Sequence, residues 1–136
     1  MMFDTKIAFI VRDDLPVWQK LNVVAFLATG IAASASEIIG DSYVDAAGYS
    51  YGSMSGQPML IFGADLTELQ KVRKKGLERE MLLIPYVHSM FSTGRDDDNR
   101  AVFLAEDPDN MDLVGLAVRG QKKVVDKVIK GLSLHK

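Results

Sequence analysis

The chain has 136 residues, 48% of them hydrophobic and 25% charged, with a formal net charge of −2. That is enough for one domain, residues 1–136, with a sizeable core, and it excludes a disordered or fibrous chain. The acidic balance disfavours nucleic-acid binding by bulk electrostatics, and the lack of cysteine excludes a disulfide framework, a thiolate zinc site and a cysteine nucleophile.

Thr5 to Val11 is a short, nearly continuous apolar run, the pattern of a strand covered on both faces. Arg12, Asp13 and Asp14 interrupt it. Pro16 suits a first helical turn, and Val17 to about Ile38 is long enough for a helix ending near Gly40. Leu21 to Ser36 carries no charge, but Asn22, Thr29, Gly30 and Ser34 break it, and it falls short of the ~20 strongly apolar residues a bilayer needs. A buried helix is the expectation. Asp41 to Gln57 reads as loop, with a short extended piece around Tyr43 to Ala46. Pro58 opens a second strand, MLIFGA. Asp65 and Glu68 form a capping-box pattern for a helix carrying Leu66, Leu69 and Val72 and ending near Gly76.

Met81 to Val87 reads as a third strand. Asp96, Asp97 and Asp98 suit the positive N-terminus of a helix whose body is Arg100 to Glu106. After a turn at Asp107 to Asp112, Leu113 to Val118 is the fourth strand and Gln121 to about Leu132 the last helix. Val124, Val125, Val128, Ile129 and Leu132 make its apolar face. Strands and helices alternate four times, which predicts an α/β layered fold around a largely parallel or mixed sheet. The start, MMFDTK, has no basic segment leading an apolar one, so no signal peptide and a cytoplasmic location are expected.

Gly48 to Gly52, GYSYG, matches the nucleophile-elbow pattern around Ser50, but loop and strand come after it where that chemistry requires a helix. Of the two histidines, His135 is next to last and expected to fray. His88 comes directly after the third strand, at its C-terminal end, where open α/β sheets tend to bind ligands. The acidic clusters Asp96–Asp98 and Glu106, Asp107 and Asp109 lack calcium-loop spacing and fit caps and turns. Lys71, Arg73, Lys74, Lys75 and Arg79 fit the wet face of the second helix. Neither a metal nor a cofactor is implied. Arg12, Asp13 and Asp14 end the first strand, with Lys20 early in the next helix. They make either the rim of a site, with donors for an anion or carbonyl oxygen, or a helix cap with Arg12 paired to an acid.

KIAFIVRDDL and then Lys20 resemble the opening of the archaeal and eukaryotic class of peptidyl-tRNA hydrolase. Gly56-Gln57-Pro58 before MLIFGA, and LVGLAVRG before VVDKVIKGLSLH, are similar to the same family's middle and close. The resemblance implies a three-layer α/β/α fold with a four-stranded mixed sheet, and a homodimer. That family's helix carries Gln and, three residues on, His; Val24 and Leu27 stand there. Its Asp-Ala-Gly corresponds to Tyr86-Val87-His88. With STGRDDDNR and GLAVRG, the chain is most similar to an uncharacterised bacterial group of this fold with an altered site.

These residues support three functional readings. In the first, a cleft lined by Arg12, Asp14, Lys20, Asn22, Tyr86, His88 and Thr93 binds a small molecule or partner without hydrolysis. In the second, an acyl-ester hydrolase uses His88 as base and Lys20 at the oxyanion, with tRNA a candidate substrate that the net charge disfavours. The third is an interaction module that dimerises through the Tyr43 to Met54 segment.

Overall fold

The first strand in sequence, β1 (Thr5–Arg12), occupies the centre of the sheet. It runs parallel to β2 (Met59–Ala64) on one side and antiparallel to β4 (Leu113–Gln121) on the other. β3 (Leu82–Val87) pairs antiparallel with the far side of β4, so β1, β2 and β3 all end at the same sheet edge. The structure is a computed structural model describing residues 3–136.

Both faces of β1 are covered, which is why Ile7 to Val11 reads as unbroken apolar sequence. α1 (Val17–Ser34) lies on one face through Val23, Leu27 and Ile31, spaced four apart to form a single stripe. Ile7, Phe9, Val11 and Val114 meet it from the sheet. α2 (Leu66–Glu78) and α4 (Lys122–Val128) cover the other face, where Leu69, Val72, Val125 and Val128 pack on Ala8, Ile10 and Leu116. Asp65 caps α2 as its sequence predicts: its carboxylate accepts from the Glu68 backbone N–H, and the Glu68 side chain accepts from that of Asp65. α3 (Asp96–Leu104) stands beyond β3 and contacts the single tight turn His88–Ser92.

The sheet has five strands, not four. α4 stops at Val128, Gly131 adopts φ +92°, and Ser133–Leu134 returns as β5, antiparallel to β2 at Phe62 and Gly63. Two residues are too few for strand periodicity to register, and Leu132 continues the helical apolar stripe, so the expected helix overran the turn. His135 does not fray. Its N–H donates to Ile61 O, and its ring packs against Gly63.

One further boundary moves. The long first helix ends at Ser34, and Ser36–Ile38 forms a separate tight turn that buries Ile38. Asp41 to Gln57 is mostly loop, as expected, with isolated bridges joining Ile39 to Ser55 and, in the expected extended piece, Val44 to Ser50. Ser50 therefore sits on a hairpin, without the strand-to-helix turn of a nucleophile elbow.

Candidate functional site

Arg12 closes β1 at the shared edge and resolves the cluster of charge there. Its Nε donates to Asp14 Oδ1 at 2.9 Å, Nη2 donates to Asp14 Oδ2 at 3.0 Å, and Nη1 donates to Asp112 Oδ1 at 2.9 Å. A planar fork with carboxylates on two sides is the geometry guanidinium is suited to. The hydrogen bond from Arg12 holds the Asp14 carboxyl below the usual range, with the charge of His88 a lesser influence in the same direction. The same pairing raises the Arg12 pKa further. Neither aspartate caps α1, whose N-cap position is Pro16 with no side-chain cap. Lys20 is half-buried in the first turns of α1 and forms no ion pair among the described residues.

Next to this fork, α1, the end of β3, the His88–Ser92 turn and the start of α3 enclose a cleft of about 420 Å³. Its walls are aromatic. Trp18 meets Phe91 edge-on at 5.8 Å, Phe91 meets Tyr86 at 5.2 Å, and Tyr86 meets Phe26 at 6.1 Å. Trp18 and Phe26 remain 60% and 54% exposed, so their faces are available to a molecule entering the cleft.

Polar groups sit between the rings. The Tyr86 hydroxyl donates to Asn22 Oδ1 at 3.1 Å, which leaves the Asn22 amide N–H groups free to donate. Burial raises the Tyr86 pKa, keeping that hydroxyl protonated. Asn99 pairs with the Thr93 hydroxyl, which also lies 2.9 Å from Met90 O. At the mouth, Asp96 accepts from Arg100 and Asp97 from Arg95, so these acids are already engaged. Glu106 and Asp107 accept from the backbone N–H groups of Asp112 and Asp109, as turns require.

Of the seven residues expected at the site, Asn22, Tyr86 and Thr93 line this cleft. Arg12, Asp14, Lys20 and His88 do not. His88 is exposed and sets its ring edge-on to Phe91 at 5.5 Å, touching the cleft wall from outside. The expectation missed Trp18, Phe91 and Asn99. Trp18, Asn22 and Phe26 recur every four residues and so share one side of a helix, a signal present in the sequence. Phe91 and Asn99 meet that stripe only because the His88–Ser92 turn folds α3 back, which no local pattern announces.

Residues 5–136 match the family described as a protein of unknown function, DUF2000. No curated protein matches the sequence. A solved structure, that of the protein of unknown function Atu0240 from Agrobacterium tumefaciens strain C58, is 50% identical to this chain and superposes with a TM-score of 0.97. The likeness spans 99% of this chain and 100% of that one. By sequence along nearly its whole length, this chain belongs to the DUF2000 family.

Proposed function

We propose that the cleft between α1 and α3 binds a small, flat molecule that presents hydrogen-bond acceptors, and that the protein does not hydrolyse it. The observation carrying this reading is the Tyr86–Asn22 pair set among exposed aromatic faces. Rings favour a planar guest by stacking, and the free amide hydrogens of Asn22 favour an acceptor edge. The volume falls within the range of small-molecule sites. His88 touches the cleft wall from outside through Phe91, and Arg12, Asp14 and Lys20 do not line the cleft. In this reading the fold is that of the archaeal and eukaryotic class of peptidyl-tRNA hydrolase, with β5 added. The central mixed sheet between two helical layers supports that kinship, and the substituted Val24, Leu27 and Tyr86 support the loss of its chemistry.

Trp18 is the chain's one tryptophan and lines the cleft, so its fluorescence reports occupancy directly. Titration with planar heteroaromatic carbonyl compounds is expected to give saturable quenching, with saturated analogues of equal size inert. Asn22→Ala should weaken binding by about 3- to 10-fold, the worth of one hydrogen bond. Quenching that never saturates with any planar compound would overturn the proposal.

Ester hydrolysis is the second reading, favoured by His88 standing at the same edge as Asp14. Against it, Arg12 donates to both Asp14 oxygens, which leaves that carboxylate poorly placed to orient an imidazole. Release of N-blocked amino acid from aminoacyl-tRNA, lost in both Lys20→Ala and His88→Ala, would establish hydrolysis. No release above background would exclude it.

A further inference from the structure

β3 is an edge of the sheet, and the helices on the α2 side do not roof it fully. Leu83 and Pro85 stay half-buried there, whereas Ile7 to Val11 of central β1 are fully buried. Between α2, the end of α3 and this strand runs a groove of about 440 Å³. Leu83, Pro85 and Leu116 line it from the sheet, Leu77 from α2, and Phe103 and Leu104 from α3. Leu77 and Leu104 are 53% and 88% exposed, so the apolar lining continues out to the surface.

One end of the groove is basic. Arg73, Pro108 and Met111 also line a second hollow of about 290 Å³, nearer the start of α2. Thr67, Gln70, Lys71 and Lys74 line it too, with Asp109 its single acid. Three cations against one acid leave the hollow a net charge of +2. Arg73, grouped by sequence with the wet face of α2, is half-buried where the two spaces meet. Its Nη1 donates to Pro108 O at 3.0 Å, which holds the guanidinium in place. Arg73, Lys71 and Lys74 form no ion pair among the described residues. A fixed guanidinium without a carboxylate partner is suited to an oxyanion from elsewhere.

We propose that this face binds a single-chain alkyl phosphate, its chain in the groove and its phosphate in the hollow. A phosphate group carries about −1.5 to −2 charge at neutral pH, which matches the hollow, whereas a carboxylate matches only half of it. The chain takes the apolar groove because burial there removes its surface from water together with that of Leu77 and Leu104. A groove between two helices admits one chain and not the face of a bilayer. None of these residues lines the aromatic cleft, so the proposal stands apart from the reading given for that site.

Methyl NMR on the full chain, titrated with decyl phosphate below its micelle concentration, tests it. Saturable shifts are expected at the methyl groups of Leu77, Leu83 and Leu104, with the Trp18 indole signal unmoved. Decanol and inorganic phosphate each supply one part of the ligand and should bind at least about 10-fold more weakly. Lys71→Gln combined with Lys74→Gln, at two exposed positions, should weaken decyl phosphate by about 10-fold and leave decanol unaffected. Decanol binding as tightly as decyl phosphate would overturn the proposal, because the hollow would then take no part. Inorganic phosphate binding as tightly would overturn it as well, and so would shifts that never saturate. Vesicles of phosphatidylcholine and phosphatidic acid should not sediment the protein. Co-sedimentation that decyl phosphate fails to relieve would make this a membrane surface and end the proposal.

Discussion

Arg12 ties the end of β1 to the start of β4, through Asp14 on one side and Asp112 on the other. Its removal leaves two carboxylates facing each other without a cation. Both are more than half exposed, so water screens much of the loss, and Arg12→Ala should cost about 1 kcal/mol in urea unfolding. The pH dependence has a definite sign. Asp14 titrates below its ordinary value of 3.8 in the folded protein. Its contribution is therefore complete above the unfolded value and is lost as pH falls through the lower folded one. In Arg12→Ala, a carboxyl NMR titration should find the Asp14 midpoint back in the ordinary range, and the stability gap to wild type should close in acid. A gap that persisted at pH values below the native midpoint would mean that packing of the Arg12 stem, not its charge, supports this corner.

The seating of α1 on the sheet depends on a missing side chain. A Cβ at Gly115 of β4 would lie 2.3 Å from Val23 Cγ1 and 3.2 Å from Leu27 Cδ1. Gly115→Ala should therefore force α1 outward and cost about 2–3 kcal/mol, lowering Tm by roughly 10 °C. Val23→Ala in the same chain should recover about 1 kcal/mol or more, because the two residues contest one space. Simple additivity in that double variant would count against the close approach. Shifting α1 should also disturb the cleft, since the helix carries Trp18, Asn22 and Phe26.

Helix and strand positions were largely legible because each carries its own periodicity or cap, as at Val23, Leu27 and Ile31 or at Asp65 and Glu68. The sheet edge that gathers Arg12 and His88 was legible too, from alternation and parallel β1 and β3. The cleft was half legible. Asn22, Tyr86 and Thr93 lie near strand or helix ends, where location alone suggests them. Phe91 and Asn99 depend on a turn that directs α3, and β5 depends on a pairing that sequence spacing does not encode.

At the scale of the molecule, the sheet is open and its last strand is minimal. β5 covers β2 with only Ser133 and Leu134, and the Ile61 carbonyl accepts from His135. Deleting residues 133–136 uncovers this row of backbone groups, the kind of edge that templates further pairing. The shortened chain should lose about 1–2 kcal/mol and scatter light more steeply with concentration than the full chain does. Scattering unchanged by the deletion would show that β5 is dispensable as a guard.

The strand order β3-β4-β1-β2-β5 also has a consequence for synthesis. β1 emerges from the ribosome first but takes the central place, and its longer ladder is with β4, which begins at Leu113. At about 5–20 residues per second, β1 waits roughly 5–20 seconds for that neighbour. Until then β1 has β2 beside one edge and nothing beside the other, and one of its faces lacks the cover of α4. Nascent chains halted before Leu113 should therefore remain protease-sensitive throughout, and protection should appear in one step once β4 is complete.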